Sequence, residues 1–236
     1  MVWQAAPEGR ATRFRLAGIN NQNFLMQDDA TGSWWQQITG VAVQGPARGA
    51  RLERIFHDEV AFRIWVREHP GTRVLVPSSD TAWAVFSRDW EEETARMPVA
   101  TRVRLDDSLP PRTLVVGVTA GDDAVAYPMS AIQRQSPIID RVGGQNLMIV
   151  LGEDGRSVRA FVPEVEGRFV EFFLVPGSDP LELRDVATGS RWDFSGTAVD
   201  GSLAGSRLHR IAADKDYWFN WKTYHPETRV YNRGRQ

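Results

Sequence analysis

Two aspartates, two histidines and a set of tryptophans are the side chains whose types and spacing could do chemistry. Asp28 and Asp185 each stand three residues ahead of a Thr-Gly-Ser triplet, with aromatic residues close behind. A carboxylate beside an aromatic surface is what a glycosidase or a sugar binder would need. An Asp in front of Thr-Gly is more often a turn capper that accepts backbone N–H bonds. His69 and His225 each precede a proline, where a histidine can cap the last carbonyls of a helix and interact with its dipole. With His57 and His209 they show no metal-ligand spacing. Nine tryptophans are the strongest compositional feature, and eight of them divide into two groups. Trp35 matches Trp192 and Trp65 matches Trp221 in an internal repeat, so these read as core. Trp34, Trp83, Trp90 and Trp218 have no Trp counterpart, and a carbohydrate platform or a partner contact is expected among them. The candidate binding residues are therefore Asp28, Trp34, Trp35, His69, Asp185, Trp192, Trp218 and His225. No catalytic residue and no metal ligand is nominated.

The elements that must position these residues follow from the repeat. Thr31-Gly32-Ser33 matches Thr188-Gly189-Ser190, and one residue drops out between the Trp and the next Gly. The copies then stay in step through Ala42 and Ala198, Gly45 and Gly201, Leu52 and Leu208, Trp65 and Trp221, to His69-Pro70 and His225-Pro226. Strands are expected over residues 14–16 and 24–27 around a turn-rich 18–23, then over 33–38, 41–44 and 50–55. After Ile55 the period changes to helical, with Asp58 as a candidate cap and Pro70 as the stop. In the second copy Tyr217, Trp218, Trp221 and Tyr224 make the stripe, with Asp214 or Asp216 as cap. Closing strands are expected at 73–76 and 229–231. Each unit is thus a β-meander, one short aromatic helix and a final strand. Residues 79–96 hold an acidic, Trp-bearing stretch, and Asp106 to Pro111 is the best linker because a Pro pair cannot join a ladder. From Thr113 the pattern is β again, interrupted by one short helix over 129–134. The expected class is mainly β, a β-rich α+β fold of two related units. Its divisions are 1–77 as the first repeat half, 78–112 as a connecting segment and 113–236 as a second, fuller unit, packed as one body.

Bulk properties narrow the function classes. A net charge of −2, with Lys only at 215 and 222, gives no footprint for nucleic acid. The absence of cysteine excludes a disulfide framework, a thiol nucleophile and thiolate-metal sites. No signal peptide is present in this sequence, and no apolar run of about 18 residues could form a transmembrane helix. Nucleophile elbows, phosphate loops and zinc-protease or calcium motifs are absent.

The pattern Asp-x-x-Thr-Gly-Ser-x-Trp, Gly-x-Ala, Gly-x-x-Leu, Trp and His-Pro-x-Thr, together with Leu109-Pro110-Pro111-Arg112-Thr113 and Ala126-Tyr127-Pro128, resembles a prokaryotic family. That family is domain-of-unknown-function family 3179, and the resemblance runs from Phe14 to Tyr231. Typical members carry a further half with a Cys-Pro-Leu-Cys-like segment ahead of their first Thr-Gly-Ser-x-Trp half. Here Met1 falls just before that half, so the chain is expected to lack an N-terminal module, and residues 145–152 hold no cysteines either. The resemblance implies an exported, extracytoplasmic or periplasmic protein of the cell envelope.

The expected function is a non-catalytic β-rich binding or structural domain. A half-missing repeat should leave strand edges or apolar surface that another protein chain, or a homo-oligomer, covers. An envelope glycan is the other expected ligand class. The alternative is a hydrolase-type enzyme with Asp28, Asp185, His69 and His225 converging at the seam between the repeats. No cofactor is indicated by either.

Overall fold

The computed structural model describes residues 1–74, 89–100, 106 and 108–232. The chain opens with β1 (Val2–Trp3) and then lays down an antiparallel meander of β2 (Phe14–Asn20), β3 (Asn23–Asp28), β4 (Trp34–Gln36) and β5 (Val41–Gln44). Asn21 and Gln22 both have positive φ, 48° and 63°. Two left-handed residues in succession match the strand twist of a tight hairpin, so β2 and β3 run right up to them. The turn is therefore shorter than the glycine and asparagine content of residues 18–23 suggests. β6 (Arg54–Ile55) pairs back onto β1, and α1 (Phe62–Glu68) follows. Helix α1 stops because His69 precedes Pro70 and takes a non-helical φ of −132°.

After α2 (Trp90–Arg96), the remaining chain builds four further sheets, three of four strands and one of two. The hairpin of β7 (Leu114–Ala120) and β8 (Asp123–Pro128) leads into α3 (Met129–Gln135), β9 (Ile138–Val142), β10 (Gln145–Leu151) and β11 (Val158–Val162). A small ribbon of β12 (Glu164–Val165) and β13 (Arg168–Phe169) precedes a second meander, β14 (Phe172–Leu174), β15 (Glu182–Asp185), β16 (Arg191–Asp193) and β17 (Ala198–Asp200). β18 (His209–Ile211) joins β11, and β19 (Asp214–Tyr217) joins β7. Helix α4 (Trp218–Tyr224) and β20 (Arg229–Val230) close the chain, β20 lying parallel to β8. The chain is mostly β with short helices, as the alternation of its sequence requires. Among the described residues no helix is long and apolar enough to cross a membrane.

Some details depart from the sequence pattern. Ala61 and Tyr217, not the aspartates, occupy the helix N-cap positions, and neither caps through a side chain. Asp58 and Asp214 instead bind arginines. Residues 50–55 form a strand only at β6, apart from an isolated bridge from Arg51 to Val41. The expected closing strand at 73–76 is absent at residues 73 and 74, and its remaining two positions lie outside the described residues.

Residues of the two sequence-matched stretches meet through their helices and through ion pairs. Ile64 of α1 is fully buried in a core made by the later half, among Met148, Phe161, Trp192 and Phe194. On the other side Asn220 of α4 bonds Asn23, and Gln36 donates to the Tyr224 hydroxyl at 2.6 Å. Arg54 pairs with Asp214, and its repeat counterpart Arg210 pairs with Asp58, the counterpart of Asp214. The buried Arg159 holds Glu68 through two bonds of 2.6 and 2.7 Å and Asp58 at 2.8 Å, beneath the ring of Phe194. Such reciprocal pairs fix how the halves meet, because a buried charge without its partner is costly.

Candidate functional site

Asp28 and Asp185 sit in matching nests. Asp28 accepts from the Thr31 amide at 2.5 Å, the Thr31 hydroxyl at 2.8 Å and Trp35 Nε1 at 2.8 Å. Asp185 accepts from the Thr188 amide at 2.6 Å, the Thr188 hydroxyl at 2.9 Å and Trp192 Nε1 at 3.1 Å. Burial alone would push these carboxyls up, but the bonds from tryptophan, threonine and backbone outweigh it and hold both below the usual carboxylate range. The lone pairs of each carboxylate are thus spent on closing a turn and tethering a buried indole. Ser33 extends one nest by accepting from the Ala47 amide, and Ser190 extends the other by accepting from Leu203. Gly45 and Gly201 must lack a side chain, since a Cβ on either would reach Ser33 or Ser190 within 2.8 Å.

The histidines stack rather than ligate. His69 lies 4.1 Å from the Trp65 ring centroid and His225 lies 3.9 Å from that of Trp221. Burial pushes His225 below its ordinary value, with Arg54 acting in the same direction and Asp214 opposing it. Trp35, Trp192 and Trp218 are fully buried, and Trp34 is half-buried on the first meander. The structure brings Asp28 to Trp35 and Asp185 to Trp192. No hydrogen bond among the described residues joins one nest to the other, or either nest to His69 or His225. Nor do three His, Asp or Glu side chains gather closely enough among the described residues to hold a metal ion.

Asp216 is a titratable group that sequence reasoning did not single out as a site. It accepts from the Tyr217 amide and from Asn220 Nδ2, both at 2.7 Å, and burial pushes its carboxyl up to about 7. Its signal was hidden because an acidic residue just before a helix reads as a cap.

The largest contrast between the halves lies on the helices. Trp221 is 2% exposed and Trp218 0%, both packed on Val115 and Ala126 of the β7–β8 hairpin. Their repeat counterparts on α1, Trp65 and Phe62, are 36% and 57% exposed. The local geometry is otherwise the same. Trp65 Nε1 donates to Thr72 at 2.8 Å, as Trp221 Nε1 donates to Thr228 at 2.9 Å, and each helix ends on its histidine. Ile55, Phe56 and Val74 add further exposed apolar surface in the same part of the chain. A model of the family described as Protein of unknown function (DUF3179) matches residues 1–228. The chain belongs to the DUF3179 family. No curated protein and no solved structure matches it. In this DUF3179 chain, then, the contrast among the described residues is the exposed outer face of α1 against the buried face of α4. Hydrophobic spacing alone could not find it, because the same spacing produces the buried face of α4.

Proposed function

We propose that this DUF3179 chain is a non-catalytic binding module that docks another polypeptide chain on the outer face of α1. One observation carries the proposal: Trp65 and Phe62 stand in solvent at positions where the chain's own second copy buries Trp221 and Trp218. Apolar surface of that kind marks interaction sites in soluble domains. Support for a binding role also comes from Asp28 and Asp185, whose carboxylates are consumed by turn and indole bonds rather than turned toward a substrate. The halves 1–77 and 113–236 are proposed as related units joined by 78–112, and the family resemblance motivates an extracytoplasmic assembly as the setting.

The test is capture of an apolar dye whose fluorescence rises on protein surfaces. The wild-type chain should bind it, and a Phe62→Ser, Trp65→Ser double variant should lose most of that binding while keeping its circular dichroism spectrum. Dye binding indifferent to both substitutions would defeat the proposal.

A further inference from the structure

The second copy shows what the first copy is shaped to receive. In the sheet of order β19-β7-β8-β20, the outer strands β19 and β20 flank α4, and the β7–β8 hairpin lies between them. β19 runs antiparallel to β7, with Asp214 opposite Gly117 and Tyr217 opposite Leu114, while β20 runs parallel to β8. The entry to the hairpin also satisfies the helix start. The amide of Trp218 donates to the Thr113 carbonyl at 2.8 Å and that of Phe219 to the Pro111 carbonyl at 2.9 Å.

In the first copy the corresponding flanks are residues 58–61 and 73–74. Both carry no ladder partner among the described residues, and Val74 is 57% exposed. The amides of Phe62 and Arg63, which correspond to Trp218 and Phe219, find no carbonyl outside the helix among the described residues. Two flanking segments, a helix start and two aromatic side chains are thus present, and among the described residues no pair of strands joins them as one does in the other half.

We infer that the occupant of the α1 face is a two-stranded antiparallel β-hairpin from another chain, inserted between residues 58–61 and 73–74 with a glycine beneath Trp65. This rests on the docking role proposed above and adds the partner's chemistry. The hairpin is expected to resemble β7–β8 in three respects. Its first strand runs antiparallel to 58–61, because β7 does so against β19. The residue facing the Trp65 ring is glycine, since a Cβ at Gly117 would lie only 2.1 Å from the Trp221 ring. The remaining inward residues are small or β-branched, like Val115 and Ala126. Strand addition of this kind takes affinity from main-chain hydrogen bonds and specificity from the side-chain pockets.

The probe is a synthetic peptide of residues 111–128, which carries the hairpin that packs against α4. Its binding to the intact chain is measured by titration calorimetry. Saturable one-to-one binding is expected, weakened at least tenfold by Trp65→Ala in the protein and at least tenfold by Gly117→Val in the peptide. A Phe62→Ser protein serves as second variant should Trp65→Ala fail to fold. No binding at millimolar peptide, or binding unaffected by Gly117→Val, overturns the inference. Should the dye still bind in a Trp65-dependent manner in that case, the docking face stands and only its hairpin occupant falls. A chain that dimerises in solution through Trp65 would overturn it as well, in favour of a second copy.

Discussion

Trp65 and Trp221 offer a controlled comparison within one molecule. Each donates Nε1 to a threonine hydroxyl seven residues on and each stacks on the histidine that ends its helix. Truncation to alanine therefore removes the same local contacts from both, and subtraction isolates what covers the ring. Trp221 is 2% exposed and Trp65 36%. For a side chain that buries up to about 250 Å², that difference is roughly 85 Å². At ~25 cal/mol per Å² this amounts to about 2 kcal/mol. Removing a fully buried Trp costs about 3–5 kcal/mol, so Trp221→Ala should fall in that range and Trp65→Ala about 2 kcal/mol below it. Urea unfolding followed by far-ultraviolet circular dichroism, with a common slope for the variants, measures both. Equal losses, or a larger loss for Trp65→Ala, would refute the claim that α1 lacks the cover that α4 has.

Other outcomes follow from named contacts. Gly117→Ala should destabilise by about 1–3 kcal/mol through overpacking against Trp221, and adding Trp221→Leu should recover part of the melting temperature. Arg159→Met leaves Glu68 and one bond to Asp58 without their buried partner, so a loss of about 3–5 kcal/mol is expected by the same urea assay. Asp216 titrates at about 7 in the folded chain against 3.8 unfolded. Between those values the folded state binds the extra proton, so stability falls as pH rises through the window and levels off above it. Asp216→Asn should remove up to about 4 kcal/mol of that decline, and a carboxyl found ionised at pH 5 by NMR would contradict the assignment.

Much of the fold was legible because duplicated residues answer the same physical need twice. Asp28 with Trp35, and Asp185 with Trp192, are turn and core together, and their spacing alone pointed to both. The turn chemistry of β2–β3 was only half legible, since Gln22 carries a positive φ that its type does not advertise. Asp58 and Asp214 stood where helix caps stand, but arginines far away in sequence claimed them, and such pairing leaves no local pattern. Trp218 stood out for lacking a Trp counterpart, yet it is fully buried, while its counterpart Phe62 is exposed. What decides burial there is the hairpin across from the helix, and periodicity along a helix carries no information about what faces it.

Amide exchange followed by NMR on the free chain tests the central claim most directly. Residues 214–219 and 229–230 should exchange slowly behind their ladders, while 58–60, 62–63 and 73–74 should exchange orders of magnitude faster because those amides have no hydrogen-bond partner outside the helix among the described residues, unlike Ala61, which donates to the Ser157 hydroxyl. Comparable protection at both sets would mean that the first copy already has its cover, and the docking face would not exist.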